Sequence, residues 1–251
     1  MPKKIPLLFL VAASLWALSE LFILKPGLFF VSLAVAALII ILTIKKLVGR
    51  KSPIFWPLLA LSPILYYLAA AFYSAILTNQ WWIQFIFLIN AYAIFAYLKN
   101  IYYYFSFGAP EREAKLRKLI LSFSFLAFFA AAATLYALPI FLNFSFGFIF
   151  LLLVLSGGVF FAQLMILTSH QKDSWLFLFL NTIILGELTG VLLLLPLSFN
   201  VRGILAAIFF YSLVLFNNWR LEGRLNFRHL RWPLVLSLLL IFIILFSARW
   251  R

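Results

Sequence analysis

The sequence predicts an all-α, polytopic bundle of about nine transmembrane helices, with the N-terminus inside and the C-terminus outside. Three observations carry that prediction. Hydrophobic residues make up 67% of the 251 positions and charged residues 10%, too little polar surface to cover a water-soluble domain. Apolar runs of membrane-spanning length recur from end to end. The lysines and arginines between those runs alternate in density from one connection to the next.

Taken in order, the runs are Ile5–Leu24, Gly27–Ile44, Ile54–Leu77, Trp81–Tyr104, Leu119–Leu142, Phe146–Thr168, Trp175–Leu195, Val201–Phe216 and Trp232–Phe246. Each is close to the ~20 residues needed to cross the hydrocarbon core, the last two being shorter. Apolar residues surround every run instead of forming one stripe, as helices facing lipid and one another require. The first run follows Lys3-Lys4, the start of a signal peptide, but no small-x-small cleavage pattern follows it; Ala12-Ala13-Ser14 comes too early. A retained first helix is the expectation.

Orientation follows from the cations. With the N-terminus inside, Lys3, Lys4, Lys45, Lys46, Arg50, Lys51, Lys99, Arg112, Lys115, Arg117, Lys118, Lys172, Arg220, Arg224, Arg228 and Arg231 all fall inside. Only Lys25, Arg202, Arg249 and Arg251 fall outside. That asymmetry is the positive-inside pattern, and it also accounts for the formal net charge of +14 without nucleic acid. All tryptophans except Trp16 sit near the ends of runs, the depth that indole prefers.

The chain reads as a single integral membrane domain over residues 1–251, with no soluble domain. Outer connections such as Lys25-Pro26 and Thr78-Asn79-Gln80 are short, which makes neighbouring helices antiparallel hairpins. The longest polar stretches, Gly108–Lys118 and Asn217–Arg231, are inside. The tripeptide Trp-Pro-Leu occurs at Trp56 and again at Trp232; interfacial Trp followed by Pro near a first helical turn explains both without a repeat. A four, one and four division of the helices is conceivable, but no residue match supports it.

Composition narrows the chemistry. The absence of cysteine excludes disulfides, thiolate nucleophiles and Cys-ligated metals. Two histidines, His170 and His229, cannot build a multi-His site. The acids are Glu20, Glu111, Glu113, Asp173, Glu187 and Glu222 alone. Glu111 and Glu113 each precede a cation by four residues, Lys115 and Arg117, the spacing of paired charges on a solvated helix. No metal and no cofactor is expected. The sequon Asn143-Phe144-Ser145 sits in a connection too tight for a glycan.

Glu187 is the sharpest candidate, in the stretch Gly186-Glu187-Leu188-Thr189-Gly190. A carboxyl in mid-span is expensive and marks a functional site by default, while the small-xxx-small spacing of Gly186 and Gly190 is a close-packing pattern. In an antiparallel hairpin of the sixth and seventh helices, residues whose numbers sum to about 343 share one depth. Ser156 and Gly157 then lie opposite Glu187, with a Glu187–Ser156 hydrogen bond expected. Glu187 is thus either a proton, cation or ligand site, or a neutral side chain tying two helices. Glu20, a turn from the outer end of the first helix, is expected to pair with Lys25 or Arg202. Gln84, Asn90, Gln163 and Asn181 are polar residues inside spans; interhelical hydrogen bonding explains them, and a polar pathway would need them to converge on Glu187.

Arg220, Arg224, Arg228 and Arg231 follow a 4, 4, 3 spacing, which sets them on one helix face, with Leu221, Leu225 and Phe227 interspersed. This suits a short interfacial helix against anionic lipid of the inner leaflet, or charge that only sets topology. Three function classes remain. The first is a non-enzymatic protein binding or assembling with lipid or a membrane-protein partner. The second is a small-solute or ion transporter using Glu187. The third, an enzyme on a lipid-linked substrate at the inner face, is disfavoured by the shortage of acids and histidines. Compact loops and no targeting extension point to the plasma membrane of a prokaryote.

Overall fold

A computed structural model describes residues 5–48, 56–107, 110–168, 174–221 and 227–247. Among the described residues there are nine α-helices and no strand: α1 (Ile5–Leu24), α2 (Phe29–Val48), α3 (Trp56–Ile76), α4 (Gln80–Phe107), α5 (Pro110–Leu142), α6 (Phe146–Thr168), α7 (Ser174–Leu194), α8 (Phe199–Leu221) and α9 (Phe227–Ser247). Each of the nine predicted runs overlaps one of these helices. Six of the helices, together with α2 and the short 3-10 turn at Pro26–Leu28 that precedes it, are long and apolar enough to cross a membrane; the apolar stretches within α7 and α9 are shorter.

Differences lie at the ends. α5 begins at Pro110, where proline's fixed φ and missing N–H suit a first helical position, so residues 111–118 continue a helix. α8 and α9 extend beyond their apolar cores into polar sequence, since backbone hydrogen bonding does not stop where hydropathy falls. The first Trp-Pro-Leu opens α3 as expected, but Pro233 lies more than a turn inside α9, so helix-start chemistry explains only one of the two.

Three connections are stitched by short polar side chains. Asn79 Oδ1 accepts from Trp81 N at 2.9 Å, Ser145 Oγ from Phe148 N and Ser198 Oγ from Val201 N, both at 3.4 Å. These N-caps satisfy amides that the first turns of α4, α6 and α8 leave unpaired. Asn143, just past α5, has φ 59°, a left-handed helix stop that Asn tolerates. The Asn143-Phe144-Ser145 triplet therefore serves as one helix's stop and the next one's cap.

The chain forms two compact units, Met1–Ser124 and Phe125–Arg251, the division falling inside α5. In the first unit α1 packs on both α2 and α4, and α3 packs on α2 and α4. α1 buries Leu8, Ala12, Leu15, Ser19 and Phe22, a seam of alternating four- and three-residue steps. α3 is the most buried helix and carries Pro63 in its interior. Proline cannot donate to the carbonyl four residues earlier, which is that of Leu59. The Tyr97 hydroxyl donates to Leu59 O at 2.7 Å, filling the acceptor that Pro63 leaves open. Phe22, Phe29, Phe72 and Phe87 pack edge to face, with centroids 5.1–5.4 Å apart, and the Lys45 ammonium lies over the Trp56 ring at 5.8 Å.

The second unit is built on a tight α6–α7 hairpin followed by α8 and α9. Phe128 of α5 stacks on Phe210 of α8 at 4.7 Å, with Phe160 and Phe161 of α6 against the same ring. α8 meets α5 so closely at Gly203 that a Cβ there would lie 2.7 Å from Ala133 Cβ and 2.9 Å from Ala133 Cα and N. Tyr136 of α5 donates to Thr189 O of α7 at 2.9 Å. In the first unit the first helix returns to the fourth; in the second, α8 reaches back past α7 to both α5 and α6.

Candidate functional sites on α7 and at the α1–α4 cleft

Glycine sets the α6–α7 contact. A Cβ on Gly157 would lie 2.7 Å from Leu185 Cδ2, one on Gly186 2.9 Å from Val154 Cγ2, and one on Gly190 3.0 Å from Phe150 Cε2. Gly157, Gly186 and Gly190 thus lie where α6 and α7 approach each other, and the numbers of these pairs sum to 340–342.

The predicted hydrogen bond at that depth is absent. Ser156 Oγ donates to Leu153 O of its own helix at 2.9 Å, and Glu187 is exposed. The reason is rotation. Successive residues on a helix are turned by about 100°, so with Gly186 seated on Val154, Glu187 is carried off the interface. Gln163 of α6 and Asn181 of α7 are buried within this unit, at 1% and 5% exposure. Asn181 lies about 9 Å along α7 from Glu187 and on another face, so in this unit the interior amides do not converge on the carboxyl.

What surrounds Glu187 is an apolar outer face. Leu180, Ile183, Ile184, Val191 and Leu194 are all exposed, while Asn181, Leu185, Thr189, Leu192 and Leu193 are buried. Leu180, Ile184, Glu187, Val191 and Leu194 step by four, three, four and three, the spacing of a helix–helix seam. Glu187 stands at the centre of that seam, the one ionisable group on it.

Glu20 also departs from expectation. It pairs with neither candidate cation; Oε2 accepts from Gln84 Nε2 of α4 at 3.0 Å. Arg202 donates instead to Leu195 O at 2.6 Å, closing the α7–α8 turn. Glu20 Oε1 is buried without a partner. Beside the carboxylate opens a cleft of about 380 Å³. Its walls are Ile23 and Leu24 of α1 and Ile83 of α4, with the Trp81 indole at the rim. Deeper in the same unit, Ser19 Oγ and Tyr67 Oη lie 3.0 Å apart, and Tyr67 donates to Leu15 O at 3.2 Å.

Sequence reasoning missed this cleft, although α1 and α4 each showed a polar residue near one end. It also missed Gly203, a single glycine with no patterned neighbour. Of the arginines, Arg220 lies in the last turn of α8, and Arg228 and Arg231 lie in the first two turns of α9; their side chains, and the whole of Arg224 and His170, lie outside the described residues. Among the described residues no group of three His, Asp or Glu could hold a metal ion. No protein-family model, curated protein or solved structure matches this chain.

Proposed function

We propose that this chain is a non-enzymatic, multi-pass membrane protein whose role is binding and assembly, and that α7 is the surface on which a partner helix docks. One observation supports this above the others. Glu187 is exposed in the middle of an apolar helix whose outward seam is otherwise Leu, Ile and Val. A charged side chain facing hydrocarbon near mid-span costs about 2.5–3.5 kcal/mol on insertion scales. A partner helix carrying Lys, Arg or a hydrogen-bonding side chain at that depth recovers this cost. A single polar residue in an apolar seam also selects register and partner. α7 contains no basic residue, so a second copy docking by α7 would oppose carboxyl to carboxyl. Charge complementarity favours a different chain.

Transport through Glu187 would require polar groups gathered around it, and the interior amides of this unit lie elsewhere. The arginines Arg220, Arg224, Arg228 and Arg231 form the second binding element of the proposal, directed at anionic lipid. The cation distribution along the sequence supports an inner placement for them, in the plasma membrane of a prokaryote.

The test uses the absence of native cysteine and a photo-crosslinking residue installed singly at Ile184, Val191 or, as a control, at the exposed Leu155 of α6. Adducts with a second polypeptide are expected from Ile184 and Val191 in intact membranes, lost when Glu187→Leu is added. Lipid adducts alone from all three positions would refute the docking face. An adduct of twice the chain mass would replace the basic partner with a second copy.

A further inference from the structure

The cleft between the end of α1 and the start of α4 belongs to the other unit and plays no part in the proposal above. An ionised carboxylate offers about four acceptor positions. Glu20 uses one, to Gln84 Nε2, and its Oε1 is buried without a partner. No ion pair to Glu20 forms among the described residues. The carboxyl therefore lies at the edge of an apolar cleft, and no cation among the described residues pairs with it.

The neighbouring groups narrow the kind of cation. Gln84 gives its N–H to Glu20, which leaves its own amide oxygen as a second acceptor beside the carboxylate. Trp81, 85% exposed, presents an indole face, the strongest aromatic partner for a cation. Ile23, Leu24 and Ile83 offer contact for methylenes. One carboxylate and the two amide oxygens of Gln80 and Gln84 still fall short of a divalent ion, which takes six or more oxygen ligands as calcium or demands a near-ideal octahedron as magnesium. They suit a small monovalent group with several N–H donors. The cleft, about 380 Å³, lies at the small end of the size range of ligand pockets.

We propose that the Glu20–Gln84–Trp81 cleft binds a primary alkylammonium group. The ammonium donates to the Glu20 carboxylate and to Gln84 Oε1, and its first methylenes pack on Trp81, Ile23 and Leu24. Two sources carry that chemistry: a free aliphatic amine arriving from water, and the ethanolamine headgroup of a lipid in the adjoining leaflet. Trp81 and Trp82, both exposed at the start of α4, mark the headgroup level at which either would arrive.

Full-length protein in phosphatidylcholine nanodiscs is titrated with n-butylammonium and followed by saturation-transfer NMR of the butyl methylenes. In parallel, protein extracted from mixed phosphatidylethanolamine and phosphatidylcholine vesicles is assayed for retained lipid by native mass spectrometry. Wild-type binding is expected in at least one arm and identifies the source. Glu20→Gln should weaken it by about tenfold, the worth of a hydrogen bond to a charged group, and Trp81→Ala by about threefold. Trp81 is exposed, so that variant retains its fold even if Glu20→Gln does not. n-Butyltrimethylammonium has no N–H donor and should bind about tenfold more weakly than n-butylammonium. Wild-type and Glu20→Gln protein behaving alike in both arms would overturn the site. Equal binding of the trimethylated amine would overturn the primary-ammonium assignment. A Glu187→Leu change should leave both arms untouched, so failure here and failure of the α7 docking face are separable.

Discussion

Replacing Gly203 by alanine is the most direct test of the second unit's packing. The added Cβ would sit 2.7 Å from Ala133 Cβ and 2.9 Å from Ala133 Cα and N. Carbon atoms prefer separations of about 3.5–4.0 Å, so α5 and α8 must part by nearly an ångström. Two of the three obstructing atoms are backbone, and no rotamer change relieves them. Overpacking of this kind costs about 1–3 kcal/mol, and backbone obstruction puts Gly203 at the upper end. Alanine recovers about 1 kcal/mol of that through its better helix propensity. The net expectation is a loss of about 1–2 kcal/mol, or several degrees in melting temperature.

Two other glycines calibrate the measurement. At Gly157 the added Cβ meets Leu185 Cδ2 at 2.7 Å, the end of a flexible side chain that can turn away, so a smaller loss is expected. At Gly158 it meets Thr182 Cγ2 at 3.5 Å, an ordinary contact, so the propensity gain should leave the protein at least as stable as wild type. Intrinsic fluorescence of the eight tryptophans in detergent reports all three melting curves. The expected order of stability is Gly158→Ala, then Gly157→Ala, then Gly203→Ala. A Gly203→Ala protein as stable as Gly158→Ala would refute the close approach of α5 and α8.

Three further expectations follow from the same physics. Glu187→Gln should melt within a degree or two of wild type, because the exposed carboxyl holds no other helix, whereas Gly186→Leu or Gly190→Leu should melt lower by forcing Phe150 and Val154 of α6 outward; a Gln variant less stable than both leucine variants would mean the carboxyl is a buried partner. Changing Arg220, Arg224 and Arg228 together to Gln should weaken co-sedimentation with anionic vesicles by about 1 kcal/mol per arginine at low salt, and unchanged binding would remove the arginine face as a lipid contact. A cysteine placed at Ala114 should react with an impermeant thiol reagent only from the inner side; outer labelling would reverse the orientation drawn from the cations.

Much of the first-order architecture was legible without coordinates because the bilayer imposes it. A span needs enough apolar length to cross and must satisfy its backbone internally, so hydropathy located all nine helices to within a few residues at most ends. The larger misses, at the starts of α5 and α9 and the end of α8, fell where polar sequence continues a helix that no apolar count can follow. Hairpin connectivity carried the depth register as well: Gly157, Gly186 and Gly190 meet the opposite helix within three residues of the expected pairing. Rotation about each helix axis was not legible. In water, one apolar stripe tells which face is buried; α7 is apolar nearly all round, and lipid and protein interior are equally acceptable to Leu and Ile. A turn of about 100° therefore separates a Glu187 sealed against Ser156 from one displayed outward.

The sequence by itself determined that this is a helical membrane chain, where most of its helices begin and end, and which residues of the α6–α7 hairpin share a depth. Length, hydropathy and connection length are properties of the chain read locally, and the bilayer converts them directly into structure. Only the tertiary structure decided that Glu20 meets Gln84 and not Lys25, that Tyr97 fills the acceptor left by Pro63, that Gly203 admits Ala133, and that Glu187 faces outward. Each of these depends on the azimuth and tilt at which helices pack, and in a uniformly apolar sequence those angles are set by side-chain shape and a few hydrogen bonds between residues far apart in the chain.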